Sequence, residues 1–313
     1  MSNKEQYRKI CKEKPGIPVF MQPWWLDVVC DAWEVAIARK GEEISGIWAY
    51  PVENKMGVSL IRNPLLTPYL GPHVFYPADL KQSRADAFEY ETVSELIKQL
   101  PACKVWHLAV SPGIKQAGIC KQHKLRVEVQ QTFLINLAQT EAALLANIKD
   151  TARRNIKQAA QEEVVLSDNN ALQQLYQFQL NTLTRKGREI YYKAEDLQKI
   201  LDACTAHNAG ELLVAKNGEN IQAIVWNVWD DNRSYYFMGG QNPEANGYKA
   251  MSLLLWTCIK NSKKRGQKLF DLEGSMDEGV ERFFRTLGGD RELYMVLQKN
   301  DALLWKIKKS LLG

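Results

Sequence analysis

Two carboxylates stand two residues apart in Phe270-Asp271-Leu272-Glu273-Gly274-Ser275-Met276. If this stretch is a strand, Asp271 and Glu273 share one face, while Phe270 and Leu272 take the other. Carboxylates at a strand end could orient or deprotonate an amine nucleophile. They could equally pair with Arg282 or Arg285, or bind backbone N–H groups of the following loop, where Ser275 stands beside them as a substrate contact.

A second stretch runs from Tyr235 to Gly247 and reads YYFMGGQNPEANG. A strand that ends in two glycines and enters a helix through a polar turn could cradle phosphates with its backbone N–H groups. Met238, Gly239, Gly240, Gln241, Gly247 and Tyr248 are the candidate donor contacts. Neither G-x-G-x-x-G nor G-x-x-x-x-G-K-S/T is present, so the same residues also fit an ordinary strand–loop–helix connection. A third candidate is basic: Lys149, Arg153 and Lys157 are spaced i, i+4, i+8, with Arg154 beside them. On one helix this spacing makes a stripe suited to phosphates, or a plain solvated face. Most of the Trp and Tyr residues belong in a core, with Tyr192, Trp226 and Tyr236 as candidates to line a cleft. Cys103, His107, Cys120 and His123 lack a CxxC knuckle, so no metal site is assigned. The four His residues form no nucleophile motif.

These residues need elements to hold them. The spacing predicts a short helix within Pro18–Trp33, then strands over Trp33–Arg39, Ile44–Tyr50 and Val58–Ile61, an antiparallel meander. Four prolines between Asn63 and Pro77 preclude regular structure there. A helix over Ser83–Gln99 and strands over Lys104–Val110 and Thr132–Leu137 follow. The later part predicts one helix over Glu141–Gln161 with Thr140 as N-cap, then helices over Ala171–Lys186 and Ala194–His207. Three strands come next, Glu211–Lys216, Ile221–Trp229 and Ser234–Met238, with Asn217-Gly218 as a hairpin turn. A helix over Tyr248–Lys264 leads to a strand over Lys268–Glu273, a βαβ crossover that pairs strands in parallel or splays them. A helix over Val280–Leu287, a strand over Leu293–Gln298 and a helix over Leu303–Leu312 complete the pattern. The fold class is α/β, an α+β mixed sheet covered by helices.

At 313 residues the chain exceeds the usual size of one core, so two domains are expected, 1–140 and 141–313. The net charge of +5 is spread evenly, with 17 Lys+Arg against 14 Asp+Glu before residue 141 and 24 against 22 after it. Neither part is a basic module of the kind that binds DNA. No apolar run is long enough to span a membrane. Six scattered Cys and a charged start with no apolar segment behind it lead us to expect reduced thiols and a cytoplasmic location.

The segment FDLEGSMDEGVERFFRTLGGD (Phe270–Asp290) resembles a signature of bacterial proteins in the GNAT-like acyltransferase superfamily, in particular Fem-type aminoacyltransferases and acyl-CoA N-acyltransferase-like proteins. DTARRNIKQA (Asp150–Ala159), TLTRKGREIYY (Thr182–Tyr192) and, more weakly, FMQPWWLDVV (Phe20–Val29) fit as well. The resemblance implies two GNAT-like domains in tandem, transferring an acyl or aminoacyl group from a thioester or a tRNA ester to an amine. The acceptor would be a small molecule or a peptide, such as a cell-wall (peptidoglycan) precursor. It implies acyl-CoA or aminoacyl-tRNA as donor, no metal, and tRNA as the one nucleic-acid partner. Phe284-Arg285 matches the Fem-type Phe–Lys pair, which would make Arg285 the oxyanion's cation beside the carboxylates Asp271 and Glu273. From Gln241 onward the chain has Glu244 and Asn246 where a CoA loop has Gly and Gly/Ala. That departure supports an alternative, a non-catalytic binding module on the same fold that has lost its donor loop.

Overall fold

Alternating apolar residues from Trp33 onward build a hairpin, and its sheet face is what the first helices cover. The computed structural model describes residues 2–55, 57–160, 163–167, 169–244, 248–274 and 276–301. The chain divides into two units, Met1–Gln130 together with Leu293 onward, and Gln131–Glu292. The sequence reading divides it instead at residue 140.

In the first unit, helix α1 (Asn3–Glu13) has a capping box between Ser2 and Glu5 and buries Tyr7 and Ile10. The charged opening sequence does not announce this helix. A 3-10 turn (Val19–Met21) and α2 (Pro23–Val29) follow, so the predicted helix is confined to the centre of Pro18–Trp33. Strands β1 (Trp33–Lys40), β2 (Glu43–Pro51), β3 (Glu53–Lys55), β4 (Val58–Arg62) and β5 (His73–Val74) come next. Then α3 (Gln82–Gln99), β6 (Val105–Ala109), α4 (Ala117–Gln122) and β7 (Arg126–Asn136) complete this part of the chain. One sheet has the order β1-β2-β5, and in another β4 pairs in parallel with β6. The core gathers Trp33, Trp48, Leu96 and Trp106.

The second unit begins within β7. The predicted single helix over Glu141–Gln161 is two: α5 (Glu141–Asn147) and α6 (Asp150–Gln158). Thr140 caps α5 as expected, accepting from the Ala143 N–H at 3.2 Å. Ile148 and Lys149 between the helices are extended, at ψ 132° and 150°. No Pro or Gly marks this break. It is held from outside, because the Lys149 N–H donates to the Thr286 carbonyl at 2.9 Å. The Arg153 guanidinium donates to the carbonyls of Ala146 and Ile148, both at 2.8 Å.

Strand β8 (Glu163–Ser167), α7 (Asn169–Arg185), α8 (Ala194–Ala206), β9 (Gly210–Asn217), β10 (Asn220–Trp229), β11 (Arg233–Gln241), α9 (Lys249–Arg265), β12 (Leu269–Asp271), α10 (Glu278–Phe284) and β13 (Asp290–Asn300) follow. The strand order here is β7-β12-β11-β10-β9-β8. The crossover through α9 pairs β11 with β12 in parallel, one of the two outcomes the sequence pattern allows. Helix α9 buries Met251, Leu254, Leu255, Cys258 and Ile259 against this sheet. The end of β13 returns to the first unit and pairs with β6 from Val296 to Asn300. The predicted C-terminal helix, Leu303–Leu312, lies outside the described residues. Among the described residues, no helix is long and apolar enough to cross a membrane.

Candidate active site

Strands β11 and β12 pair only over Arg233–Tyr235 and Leu269–Asp271. Strand β11 continues to Gln241 against β10, while β12 stops at Asp271. Past that point, among the described residues, no strand pairs with the β12-facing edge of β11. A bulge helps to turn it: Met238 pairs with Trp226 and Tyr236 with Asn227, which leaves Phe237 as an extra residue. Gly239 and Gly240 therefore belong to the strand itself and do not form the turn after it.

The two carboxylates part at the same place. Phe270 and Leu272 are both fully buried, and each burial stabilises by about 2 kcal/mol. They anchor the strand end. Asp271 is fully buried too, and its oxygens are all engaged. Oδ1 accepts from Thr132 Oγ1 at 2.6 Å and from the Glu273 N–H at 2.9 Å, and Oδ2 accepts from Arg233 at 3.2 Å. Burial raises its pKa, while Arg233, Thr132 and the Glu273 N–H oppose the rise. This carboxylate ties the strand end to β7 and β11, so its lone pairs are not free for an amine.

Glu273 does not share the face of Asp271 as a continued strand would place it. Its φ is +56°, in the left-handed region, which costs a non-glycine residue about 1–3 kcal/mol. The Leu272 N–H still bonds Phe133 O at 3.0 Å, so the turn begins after Leu272. Gly274 allows it, since a Cβ there would lie 2.1 Å from the Gln131 carbonyl oxygen. The residue as a whole is half-buried, but its Oε1 is buried and has no hydrogen-bond partner. Burial, and then the charge of Asp271, push the Glu273 carboxyl well above the usual range. A carboxyl shifted in this direction is chemically suited to accept a proton from an amine.

Three tyrosines surround this corner. Burial, followed by Cys258, Glu273 and Tyr248, raises the Tyr236 phenol, so it stays protonated at neutral pH. The Tyr236 hydroxyl donates to Met251 Sδ on α9 at 3.9 Å, and a Cβ on Gly239 would fall 2.0 Å from that hydroxyl, so only glycine leaves it its place. The Gly239 carbonyl accepts from the Gln179 side chain, and the buried Tyr192 hydroxyl donates to Gln179 Oε1 at 3.4 Å. Tyr192 thus orients a strand contact from beneath. Tyr191 is exposed as a residue, and its phenol is raised by desolvation and then by the Glu273 charge. Its nearness to Glu273 was not read from the sequence, where TLTRKGREIYY gives no sign of which tyrosine turns outward.

The remaining candidates scatter. Trp226 is fully buried, edge-on to Phe237 at 4.9 Å, and is core rather than cleft lining. Met238 is likewise buried, and Gly240 packs on Phe178. Gln241 ends β11. Tyr248 stacks on Phe283 at 4.6 Å. Gly247 and Ser275 lie outside the described residues. Arg285, at the C-terminus of α10, bonds Glu281 at 3.1 Å and is 45% exposed. Of the basic stripe, Lys149 precedes α6, and Arg153 holds the helix break and pairs with Asp150. Arg154 and Lys157 stay exposed on α6. Lys149 stands at the N-cap, while Arg153, Arg154 and Lys157 remain together on α6 and line one shallow depression with Asp150. Among the described residues, no group of three His, Cys, Asp or Glu could hold a metal.

Residues 146–285 match the acetyltransferase (GNAT) domain. The sequence matches no curated protein. Among solved structures, FemX superposes with a TM-score of 0.67 at 12% identity, covering 98% of this chain and 97% of that one. The C-terminal domain of a putative lysylphosphatidylglycerol synthetase from Agrobacterium fabrum gives 0.55 at 12%, covering 99% and 96%. A tandem GNAT protein from the clavulanic acid biosynthesis pathway gives 0.51 at 10%, covering 95% and 94%. At these identities the likeness concerns the fold, and that fold is the tandem GNAT-like one.

Proposed function

Starting from a GNAT-like chain of Fem-type fold with a GNAT domain at residues 146–285, we propose that the protein is an N-acyltransferase with Glu273 as its general base. The observation that carries this reading is a buried carboxyl oxygen without a hydrogen-bond partner, held by a positive-φ residue where β11 and β12 part. A carboxyl kept in that state costs stability on three counts: strain, desolvation and an unmade hydrogen bond. Such a cost is typical of functional sites.

The donor is a CoA-type thioester, which supplies an activated acyl carbon. The open edge of β11 receives it by strand addition. The Gly239 N–H points to the same side as its carbonyl and donates to the carbonyl oxygen as charge develops there. Glu273 takes the proton of the attacking amine. The C–N bond forms, the C–S bond breaks, and the protonated Tyr236 hydroxyl returns a proton to the departing sulfur. A proton passing from Glu273 back to Tyr236 closes the cycle, giving an amide and a thiol. A CoA-type donor is favoured over aminoacyl-tRNA because Arg153 is committed to the helix break, which thins the stripe that would hold RNA phosphates.

The test is release of free thiol from acetyl-CoA in the presence of a panel of primary amines. Glu273→Gln is expected to lower kcat by roughly 10²–10⁴-fold without raising the KM for the donor. Wild-type turnover that survives Glu273→Gln would remove the assignment.

A further inference from the structure

A groove on the first unit carries polar chemistry that the Glu273 corner does not use. We infer that it is a binding site for a free α-amino acid with a polar side chain, whose carboxylate pairs with Arg39 and whose ammonium pairs with Glu95. All of its residues belong to the first unit, and the inference does not depend on the role of Glu273.

The groove is lined from β1, β2 and α3 and holds about 420 Å³, within the range of small-molecule sites. Its floor carries the hydroxyls of Ser45 and Thr92, residues only 3% and 2% exposed. Neither hydroxyl has a hydrogen-bond partner in the protein, a state that destabilises the fold. The local structure puts both there. Strands β1 and β2 pair Ala38 with Gly46 and Arg39 with Ile44, so Ser45 is the extra residue of a bulge. Its carbonyl accepts from the Phe75 N–H at 2.8 Å, which anchors the bulge. Thr182, Thr205 and Thr257 each donate to the carbonyl four residues back in their helices, at 2.8, 2.8 and 3.0 Å. Thr92 on α3 does not. Its methyl group packs on Gly46, where a Cβ would lie 2.5 Å from it, so the hydroxyl takes the other branch of the side chain.

The rim sets the charge of the ligand. Strand β1 brings Arg39 and Lys40, and α3 brings Glu91 and Glu95. Lys40 pairs with Glu91 and lies 4.8 Å from the centre of the Phe88 ring. Arg39 donates to the Glu42 carbonyl at 2.9 Å, and Glu95 accepts from Gln99 at 3.2 Å, but among the described residues neither has an ion-pair partner. One cation and one carboxylate are thus left over at the same groove. A ligand with a single charge gains from one of them and is repelled by the other. A neutral polyol satisfies the hydroxyls and leaves both charges as they are. A zwitterion engages both through charge-assisted hydrogen bonds. Its polar side chain then meets the two hydroxyls, each of which donates and accepts.

Calorimetry on the intact protein tests this, with L-serine, L-asparagine and L-glutamine as probes and ethanolamine, 3-hydroxypropionate and glycerol as controls. The controls carry the ammonium alone, the carboxylate alone and neither. At least one of the three amino acids is expected to bind more tightly than every control. Arg39→Gln and Glu95→Gln are each expected to weaken that binding about tenfold, the loss of one charge-assisted hydrogen bond. Thr92→Val is expected to weaken it too, yet to leave the Tm of the unliganded protein unchanged or higher, because it removes a buried hydroxyl that has no partner. The inference is overturned if none of the three amino acids binds, if glycerol binds as tightly as they do, or if both charge variants bind like wild type. A Tm lowered by Thr92→Val without ligand would show that the hydroxyl is already satisfied in the fold, by an ordered water, and would overturn it as well.

Discussion

Asp271 and Glu273 are two residues apart, and burial raises the pKa of both, yet their surroundings are opposite. At Asp271 the strand end supplies a hydroxyl, a backbone N–H and a guanidinium, all within 3.2 Å. At Glu273 the chain has left the strand, and Oε1 meets no donor. A buried carboxylate whose partners are complete fastens elements together. One whose partners are missing destabilises the fold and is available to a ligand. Partner count, more than burial, separates the two roles.

The largest effect should be kinetic. Glu273→Gln keeps the shape and removes the base, so kcat for acyl transfer should fall by roughly 10²–10⁴-fold. A steady-state assay of thiol release reads this directly. Asp271→Ala should act instead on stability. It leaves Arg233 with its carboxylate removed, the side-chain relative exposures of the pair being 13% and 0%. Breaking such a buried pair costs about 3–5 kcal/mol, measurable by urea unfolding. If Asp271→Ala unfolds no more easily than wild type, the contrast between the two carboxylates fails.

Gly239→Ala should come next. Its Cβ would collide with the Tyr236 hydroxyl, and overpacking of this kind costs about 1–3 kcal/mol. A fall in kcat larger than the loss of stability explains would show that the hydroxyl's position matters for transfer. The double variant Gly239→Ala/Tyr236→Phe keeps ring carbons 2.7 Å from the new Cβ, so it should recover stability only in part, and not rate.

The same contrast has a smaller signature in the pH dependence of stability. The folded-state pKa of Glu273 is raised, so the folded protein binds this proton more tightly than the unfolded chain does. Stability from that group is present at low pH and is lost as pH rises through the folded pKa. Glu273→Gln has no such loss. Its Tm relative to wild type should therefore increase from pH 5 to pH 8, and a constant difference would contradict the assignment. Arg285→Ala should do least. Its side chain is 45% exposed, and the Glu281 carboxylate that it meets keeps a second partner in Arg291 at 3.6 Å, so the loss should be about 0–1 kcal/mol. A loss of kcat comparable to that of Glu273→Gln would bring Arg285 back to the reacting centre.

Much of the arrangement was legible in the sequence. The Asn217-Gly218 turn and the crossover through α9 follow from hydrophobic period and turn chemistry. The FDLEGSM segment marked both carboxylates. Three features were not legible, each for a local physical reason. The break at Ile148–Lys149 is stabilised by groups distant in sequence, Thr286 and Arg153, so helix propensity alone carries α5 through into α6. The bulge at Phe237 keeps Gly239 and Gly240 inside β11, where the glycines suggested a turn. The left-handed Glu273 defeats the period-two rule, because Gly274 packs on the backbone of Gln131, a contact between segments far apart in the chain. All three are set by tertiary contacts.

The central claim concerns one proton, and it can be watched directly. Selective 13C labelling of glutamate side chains, with Glu273→Gln to assign the signal, gives the titration of this carboxyl by NMR. The account predicts a midpoint well above the ordinary glutamate value. A midpoint at or below that value would mean that water or hydrogen-bond donors stabilise the Glu273 carboxylate, and would contradict its role as the base.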